Sequence, residues 1–435
     1  SVVAWAGPFH IHLSWEDSET AESCTFGASD GVNLYHVYSS ESLEGPFDKL
    51  TVVDCLSVCT YCHYLGPDAQ QRFYYVTTAA ADEKEESDRS DIVTATTTGD
   101  AGIDDDSKFL DFVQRSHFEY FRGFAEPFSG ATRESYRPFK ASGEVEADSD
   151  MHPRWLVTTG GTGIGIANLV VGTARGFIQR SEACRRLLRL LDFLEKADRF
   201  HGVWPHWLNG TSGQVQPFSA LDDGADLPES CFVFQSLLIA RAYFNEANTA
   251  EASIRERATR LWEAAEFNHF VQNGWLMWHW SPKHGFELGL AIVGFNEAQI
   301  CYLLGVCHPK YPIAPQVYAS GWANGDPSRY RAALLEGNTP LFWTHLSYYG
   351  FDPNHGDQYC VSYFDALSHR TQVQIDYAKE NPKSFPGYGA CQLWGLSACF
   401  TKTGYDICSP SNDIGVVAPF ATCSAYPYKP RESLA

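Results

Sequence analysis

Apolar and polar residues alternate with a period of two through the first hundred residues of the chain. The segments that show this pattern are His10–Trp15, Asn33–Tyr38, Gln71–Thr77 and Asp91–Thr97, with clusters of Gly, Pro, Asp and Ser between them. Such alternation is typical of half-buried strands, and several short strands joined by turns are typical of a β-sandwich. We therefore predict a small β-sandwich over residues 1–98.

From Ser107 onward, apolar residues recur at the three- to four-residue spacing of helices. Behind Ser107, which we expect to cap the first helix, the apolar positions are Phe109, Phe112, Val113, Phe118, Tyr120 and Phe121. Further helices are predicted at Gly163–Gln179, Ser181–Asp198, Pro228–Tyr243, Ala250–Phe270, Asn296–Leu304, Ser328–Leu335, Val361–Lys379 and Ala390–Lys402. Residues 99–106 are predicted to be a linker, and residues 107–435 a mainly α domain with the length of an α/α toroid.

A glycine-rich segment, Gly160–Gly165, looks like a cofactor-binding loop. It lacks the glycine spacing of dinucleotide-binding loops, and no β-α-β unit surrounds it. We interpret it as a tight loop that enters the following helix, and we predict no cofactor.

The charge of the chain limits its partners. It contains 32 basic and 53 acidic residues, a net charge of −21. Repulsion disfavours nucleic acid and anionic membranes as partners, whereas a neutral ligand is indifferent to the charge. No apolar run approaches the ~20 residues that a membrane span needs. No obligate protein partner is evident.

Thirteen cysteines point to an oxidising compartment. Cys55, Cys59 and Cys62 form the only tight group, and no second group completes a zinc site, so we expect disulfides and no metal. The chain begins at Ser1 without Met, and Asn209 opens an N-glycosylation sequence. These features together predict a secreted, extracellular glycoprotein.

Carboxylates stand at the entrances of two strongly apolar helices. Asp226 and Glu229 lead into the apolar segment Ser230–Phe244, Glu297 opens a second one, and Asp413 lies in a C-terminal loop. The helix dipole favours an acidic residue in the first turn, so Glu229 can be a helix-end residue. An acid held for chemistry is the alternative, and this segment alone leaves both interpretations open.

Aromatic residues make up 14% of the chain. Rings can bind sugar faces, although most aromatic residues in a protein belong to its core. The candidates for substrate binding, with the acidic Asp226 and Glu297, are Trp204, His206, Trp207, Trp343 and Trp394. Glycoside hydrolysis needs two carboxyls beside the scissile bond and apolar surfaces for the sugar, whereas motifs of serine hydrolases, zinc proteases and phosphate loops are absent.

These motifs make the helical region resemble the glycoamylase-like glycoside hydrolases that cleave β-1,2-glucans. The segments that carry the resemblance are Phe109–Arg115, Gly202–Trp207, Asp223–Glu229, Phe295–Ala298, Trp394–Ala398 and Asp413–Pro419. The cysteine-rich character is more similar to the fungal members, glycoside hydrolase family 162, than to the bacterial family 144. The N-terminal strands resemble a fibronectin type III module.

The resemblance implies an (α/α)6 barrel with endo-β-1,2-glucanase activity and inversion of the anomeric carbon. It also implies that Glu229 is the general acid and Asp413 the general base, although Ser-Asn precedes Asp413 where many relatives have another Asp. Burial and the charge of Asp226 are expected to raise the pKa of Glu229 against the helix dipole. Asp413 is expected to stay ionised.

Other functions remain open at this point. They are a glycosidase or transglycosylase for another β-glucan linkage, a polysaccharide lyase, and a sugar-binding protein without activity. Lyases bind anionic uronates and favour basic clefts, which the acidic motifs here do not provide. A binding protein would need the aromatic residues but neither Glu229 nor Asp413.

Overall fold

The structure is a computed structural model, and it describes most of the chain. The described residues are 2–6, 10–15, 34–50, 60–65, 68–79, 86–98, 105–123, 125–126, 128–135, 155–323, 326–389, 393–401 and 404–434. Most of the predicted linker lies outside them. The helices are α1 Asp106–Gly123, α2 Thr159–Ala174, α3 Arg180–Lys196, α4 Leu227–Tyr243, α5 Thr249–Glu263, α6 Gln299–Cys307, α7 Pro315–Val317, α8 Pro327–Glu336, α9 Leu341–His345, α10 Tyr363–Glu380, α11 Pro419–Ser424 and α12 Pro430–Leu434.

In the described part of the N-terminal region, seven strands form two antiparallel sheets. The strands are β1 Val2–Ala6, β2 His10–Trp15, β3 Leu34–Ser40, β4 Asp48–Lys49, β5 Thr60–Tyr64, β6 Gln71–Ala79 and β7 Val93–Thr96. One sheet has the order β1-β2-β5 and the other β4-β3-β6-β7. Ile11 and Leu13 of the first sheet share a buried cluster with Val37 and Tyr74 of the second, so the sheets pack face to face as a sandwich.

The outer face of the sandwich packs against α1. His10 and His12 of β2 are both buried, and the ring of His10 stacks on Phe112 of α1 with the centroids 5.3 Å apart. The helix starts one residue before the predicted cap, because the carboxylate of Asp105 accepts the backbone N–H of Ser107 at 2.7 Å. The prediction that Ser107 caps this helix was wrong.

The glycine-rich segment was predicted to be a loop, but it forms the first turns of α2. Glycine is needed there because α2 lies very close to its neighbours. A Cβ on Gly165 would lie 2.8 Å from the hydroxyl of Thr132, and a Cβ on Gly172 would lie 2.1 Å from the Phe118 ring of α1. Close packing between helices outweighs the low helix propensity of glycine.

The remaining strands are short. They are β8 Leu156–Thr158, β9 Trp207–Asn209, β10 Val215–Gln216, β11 Ala225–Asp226, β12 Val271–Gln272, β13 Trp275–Leu276, β14 His279–Trp280, β15 Ala398–Thr401 and β16 Gly404–Ile407. The chain divides into two compact units. The first comprises Ser1–Arg199, Trp204–Asp223 and Ser236–Trp262, and the second Phe200–Val203, Gly224–Gln235 and Glu263–Ala435.

Besides α2, which spans Thr159–Ala174 where Gly163–Gln179 is predicted, two of the predicted helices differ from the structure. The helix predicted to reach Phe270 ends at Glu263, because the N–H of Glu266 is donated to the carbonyl of His201 and a separate 3-10 turn follows. The helix predicted over Ala390–Lys402 is wrong within the described residues, where Ala398–Thr401 is a strand. Gly395 has φ +113, and the N–H of Leu396 binds the side chain of Gln374, so this backbone is not helical.

The cysteines that the structure describes with their side chains are free thiols. They are Cys184, Cys231, Cys301, Cys307, Cys360, Cys399, Cys408 and Cys423. The disulfides expected from the cysteine count are therefore not formed among them, and most of these thiols fill apolar packing sites instead. Among the described residues, no helix is long and apolar enough to cross a membrane.

Candidate active site

The start of α4 is held from two sides. The short strand β11 pairs with β14, so that Asp226 lies opposite His279, and the N–H of Leu227 binds the carbonyl of Trp278 at 2.9 Å. Asp226 is fully buried, and its carboxylate accepts the backbone N–H of Glu229 at 3.0 Å. Asp226 thus caps the first turn of α4, while Glu229 is half-buried in that turn.

Glu297 lies in the tight segment just before α6. The hydroxyl of Ser347 donates to its carbonyl oxygen at 2.5 Å, and Asn296 accepts the N–H of Ala298 at 2.9 Å. The carboxyl of Glu297 is buried, and its Oε2 atom has no hydrogen-bond partner in the described part of the chain. An unpartnered oxygen in a buried carboxyl is costly and calls for a functional explanation.

The environment of Glu297 favours its protonated form. Burial raises the pKa of Glu297 to about 8, and the negative charges of Glu229 and Asp226 add to the rise. The structure therefore brings Asp226, Glu229 and Glu297 together as an acidic cluster. This cluster holds a proton at neutral pH, which is the property that a general acid needs.

Asp413 has a different set of neighbours. Its carboxylate accepts the hydroxyls of Tyr377 at 3.0 Å and Tyr388 at 3.1 Å, together with the N–H of Gly415 at 2.9 Å. Burial raises the pKa of Tyr377 to about 12, with a further contribution from the Asp413 charge. These donors come from α10, from the loop that follows it and from the loop of Asp413 itself.

Two of the proposed aromatic residues belong to the core. Trp204 is fully buried and donates its ring N–H to the carbonyl of Leu194 at 3.0 Å. Trp394 is buried and donates to the carbonyl of Glu432 at 3.0 Å. Trp394 also lines a cavity, together with Lys379 and Arg431. Substrate binding by Trp204 and Trp394 stays a prediction. Trp343 is half-buried in the short helix α9.

An exposed stack of rings remains in the first compact unit. His206 stacks on Phe218 with the centroids 4.3 Å apart, and Trp207 lies 4.7 Å from the same ring. Phe218 is 48% exposed, and the ring N–H of Trp207 is held by Glu134 at 3.1 Å. The sequence interpretation missed Phe218, because a single aromatic residue in a Gly- and Ser-rich loop carries no periodic signal. We call these three residues the aromatic surface.

Asn209 is half-buried at the end of β9. Its side-chain oxygen accepts the N–H groups of Thr211 and Ser212, both at 2.9 Å, in a tight turn. Its glycosylation stays a prediction.

Comparison with known proteins identifies relatives of the chain. The chain matches the Glycoamylase family model, "Putative glucoamylase", over residues 290–435. It is 36% identical over 360 residues to the exo β-1,2-glucooligosaccharide sophorohydrolase (non-reducing end) of Parabacteroides distasonis. The alignment covers 76% of this chain and 48% of that protein. The chain thus spans about half the length of this curated relative.

Solved structures give the same result. The endo-β-1,2-glucanase from Chitinophaga pinensis, in complex with sophorotriose and glucose, is 36% identical with a TM-score of 0.70 over 76% of this chain and 81% of that one. The β-1,2-glucanase from Parabacteroides distasonis is 31% identical with a TM-score of 0.76 over 99% of this chain and 62% of that one.

The mainly helical fold is shared with solved β-1,2-glucanases that are 31% and 36% identical to the chain. The chain belongs to the glycoamylase-like family, of the glycoside hydrolase family 144 type. The expected affinity with fungal family 162 is corrected, because the endo-β-1,2-glucanase from Talaromyces funiculosus is only 12% identical and shares the fold alone, with a TM-score of 0.52 over 76% of this chain and 74% of that one. Cysteine content is a property of composition and was a poor guide to kinship.

Proposed function

We propose that the chain is an endo-acting glycoside hydrolase that cleaves β-1,2-glucan to short oligosaccharides with anomeric inversion. The single observation that carries the proposal is the protonated, buried carboxyl of Glu297 beside Glu229 and Asp226. The identities with bacterial β-1,2-glucan hydrolases support the substrate. We further propose that the helices form an (α/α)6 barrel and that the protein is secreted.

Inversion needs one carboxyl that gives a proton to the leaving oxygen and a second that activates water from the opposite face. The resemblance assigns these roles to Glu229 and Asp413. The electrostatics favour Glu297 as the residue that holds the proton, while Glu229 is half-buried and so more open to the solvent side. We therefore propose that the acid is Glu297, with Glu229 as the alternative donor and Asp413 as the base.

The remaining side chains have supporting roles in this proposal. Asp226 fixes the first turn of α4 and, with Glu229, supplies negative charge that keeps Glu297 protonated. The tyrosine hydroxyls around Asp413 keep that carboxylate oriented. No residue in this scheme requires a metal or a cofactor.

Two matched variants test the assignment. Glu297→Gln and Glu229→Gln keep the shape of the side chains but cannot donate the proton, so the donor variant should lose about 10²–10⁴ in kcat. Circular dichroism verifies folding. If Glu297→Gln retains most of the wild-type turnover while Glu229→Gln does not, the donor is Glu229, as the resemblance implies.

The products of linear β-1,2-glucan test the activity itself. Internal cleavage should shorten the polymer before disaccharide accumulates, whereas release of sophorose from the start would indicate exo action. NMR of the first products should show the α-anomer, and retention of the β-configuration would contradict inversion.

Activity only on other β-glucans or on uronates would support the alternative functions, and binding without cleavage would indicate a sugar-binding protein.

A further inference from the structure

Two cysteines lie on one face of the C-terminal hairpin. In the pairing of β15 with β16, Cys399 is opposite Asp406 and Ala398 is opposite Ile407. The next residue, Cys408, donates its N–H to the carbonyl of Ser397 at 3.3 Å. Cys399 and Cys408 are therefore diagonal neighbours on the same face of the ladder, because side chains alternate with a period of two.

The two thiols are in contact. They hydrogen bond to each other, and both pack on the apolar cluster that contains Trp394, Leu396 and Ala418. Cys408 is fully buried, whereas Cys399 is half-buried and accessible at the surface of the hairpin. Burial raises the pKa of both thiols, that of Cys408 to about 12, and only Cys399 is accessible, so an exchange reaction begins at Cys399.

We propose that Cys399 and Cys408 are a redox-modification site that forms an intramolecular disulfide when the protein meets a small-molecule disulfide oxidant. The Cys399 thiolate attacks the oxidant and forms a mixed disulfide, releasing one half of the oxidant as a thiolate. The Cys408 thiol then gives its proton to the thiolate released first and attacks the Cys399 sulfur, which expels the second half of the oxidant as a thiolate that takes a proton from water. Two protein thiols are oxidised and one oxidant disulfide is reduced to two thiols.

The location gives the bond a structural effect. It would link the two sides of the hairpin just before the segment Ser409–Asn412, which is closed by hydrogen bonds between Ser409 and Asn412 and leads directly to Asp413. A disulfide restricts the unfolded chain and so stabilises the folded one. The oxidised protein should therefore have a higher Tm than the reduced protein. This inference is independent of the proposed glucanase activity.

The chain contains its own control. Cys231 of α4 and Cys301 of α6 also hydrogen bond to each other, but both are completely buried. An oxidant in solution reaches neither of them in the folded protein, so this pair should stay reduced. Cys307 is exposed and reports that the oxidant has acted.

Peptide mapping tests the proposal. The reduced, folded protein is incubated with oxidised glutathione, denatured with an alkylating agent and digested without reduction. Trypsin cleaves after Lys402, between the two cysteines, and chymotrypsin cleaves at Trp394 and Phe420, which separates Cys399 from Cys391 and Cys408 from Cys423. A linked pair of peptides is then specific for Cys399 and Cys408.

We expect that linked pair in the wild type, glutathione on Cys307, and alkylated Cys231 and Cys301. In Cys399→Ser the linked pair should disappear and Cys408 should be alkylated, and in Cys408→Ser glutathione should remain on Cys399. The proposal is overturned if the wild type carries glutathione on Cys399 with Cys408 alkylated, or if both are alkylated while Cys307 has reacted. If either variant fails to fold, the wild-type result alone decides whether the disulfide forms.

Discussion

At the scale of single residues, Glu297 is the most informative position in the molecule. Its carboxyl is buried, one of its oxygens has no partner in the described chain, and its pKa is raised to about 8. The sequence could place this residue at the start of an apolar helix, but not its electrostatics. Those depend on Asp226 and Glu229, which are remote in sequence and come near only in the folded chain.

The raised pKa predicts the pH dependence of the reaction. On the alkaline side of the profile, activity should fall as Glu297 loses its proton with a midpoint near pH 8. The same proton contributes to stability at lower pH, and this contribution is lost as the pH rises through about 8. A pH profile of kcat/KM tests the prediction for activity. If the alkaline limb of the profile lies at the same pH in the Glu297→Asp enzyme, the titrating group is not Glu297.

The aromatic surface makes a second prediction at this scale. Phe218→Ala should raise KM about fivefold and leave kcat nearly unchanged, because a stacked ring contributes about 1 kcal/mol to binding. Phe128→Ala is the control, since Phe128 is 45% exposed in the same compact unit. Kinetics on oligosaccharides of increasing length provide the measurement, and equal effects of both variants would show that Phe218 binds no sugar.

At the scale of elements, local pattern was a good guide to the long helices and a poor one to the irregular segments. The apolar segment after Glu229 was predicted as a helix to within one residue of α4, because an apolar segment of this length is typical of a buried helix. The helices expected at Ala250–Phe270 and Ala390–Lys402 differed, since distant partners, His201 and Gln374, capture their backbone groups. Such long-range bonds leave no periodic trace in a sequence.

The glycines of α2 give a prediction for this scale. Gly172→Ala should lower the free energy of unfolding by about 1–3 kcal/mol, because the new methyl group would collide with the buried ring of Phe118. Val171→Ala, at a neighbouring position that is 46% exposed, should change it by less than about 0.5 kcal/mol. Urea unfolding of both variants is the measurement. A stabilised Gly172→Ala protein would mean that helix propensity outweighs the contact.

At the scale of the whole molecule, histidines with a lowered pKa lie in both compact units. Burial lowers the pKa of His12 in the sandwich to about 2, that of His63 to about 4, and that of His345 in the second unit to about 3. Composition showed only that the chain contains fifteen histidines. Which of them are enclosed depends on the sandwich, on α1 and on α10, and so on the complete fold.

These histidines predict loss of stability in acid. A folded-state pKa below the unfolded value of 6.5 means that the stability is complete above pH 6.5 and falls as the unfolded chain takes up protons below it. His12 alone should lower the free energy of unfolding by about 2 kcal/mol at pH 5 relative to pH 7.5. Denaturant midpoints at the two pH values provide the test. His12→Gln should reduce the difference, and an unchanged difference would exclude His12 as its source.

The division of the chain also limits how it can be dissected. The path enters the second compact unit at Phe200, Gly224 and Glu263, so neither unit is encoded by one continuous stretch of the gene. A truncation at residue 107 would also remove β2 from α1 and leave the ring of Phe112 without its partner His10. A minimal fragment should therefore keep the N-terminal sandwich, because its strand β2 packs on α1.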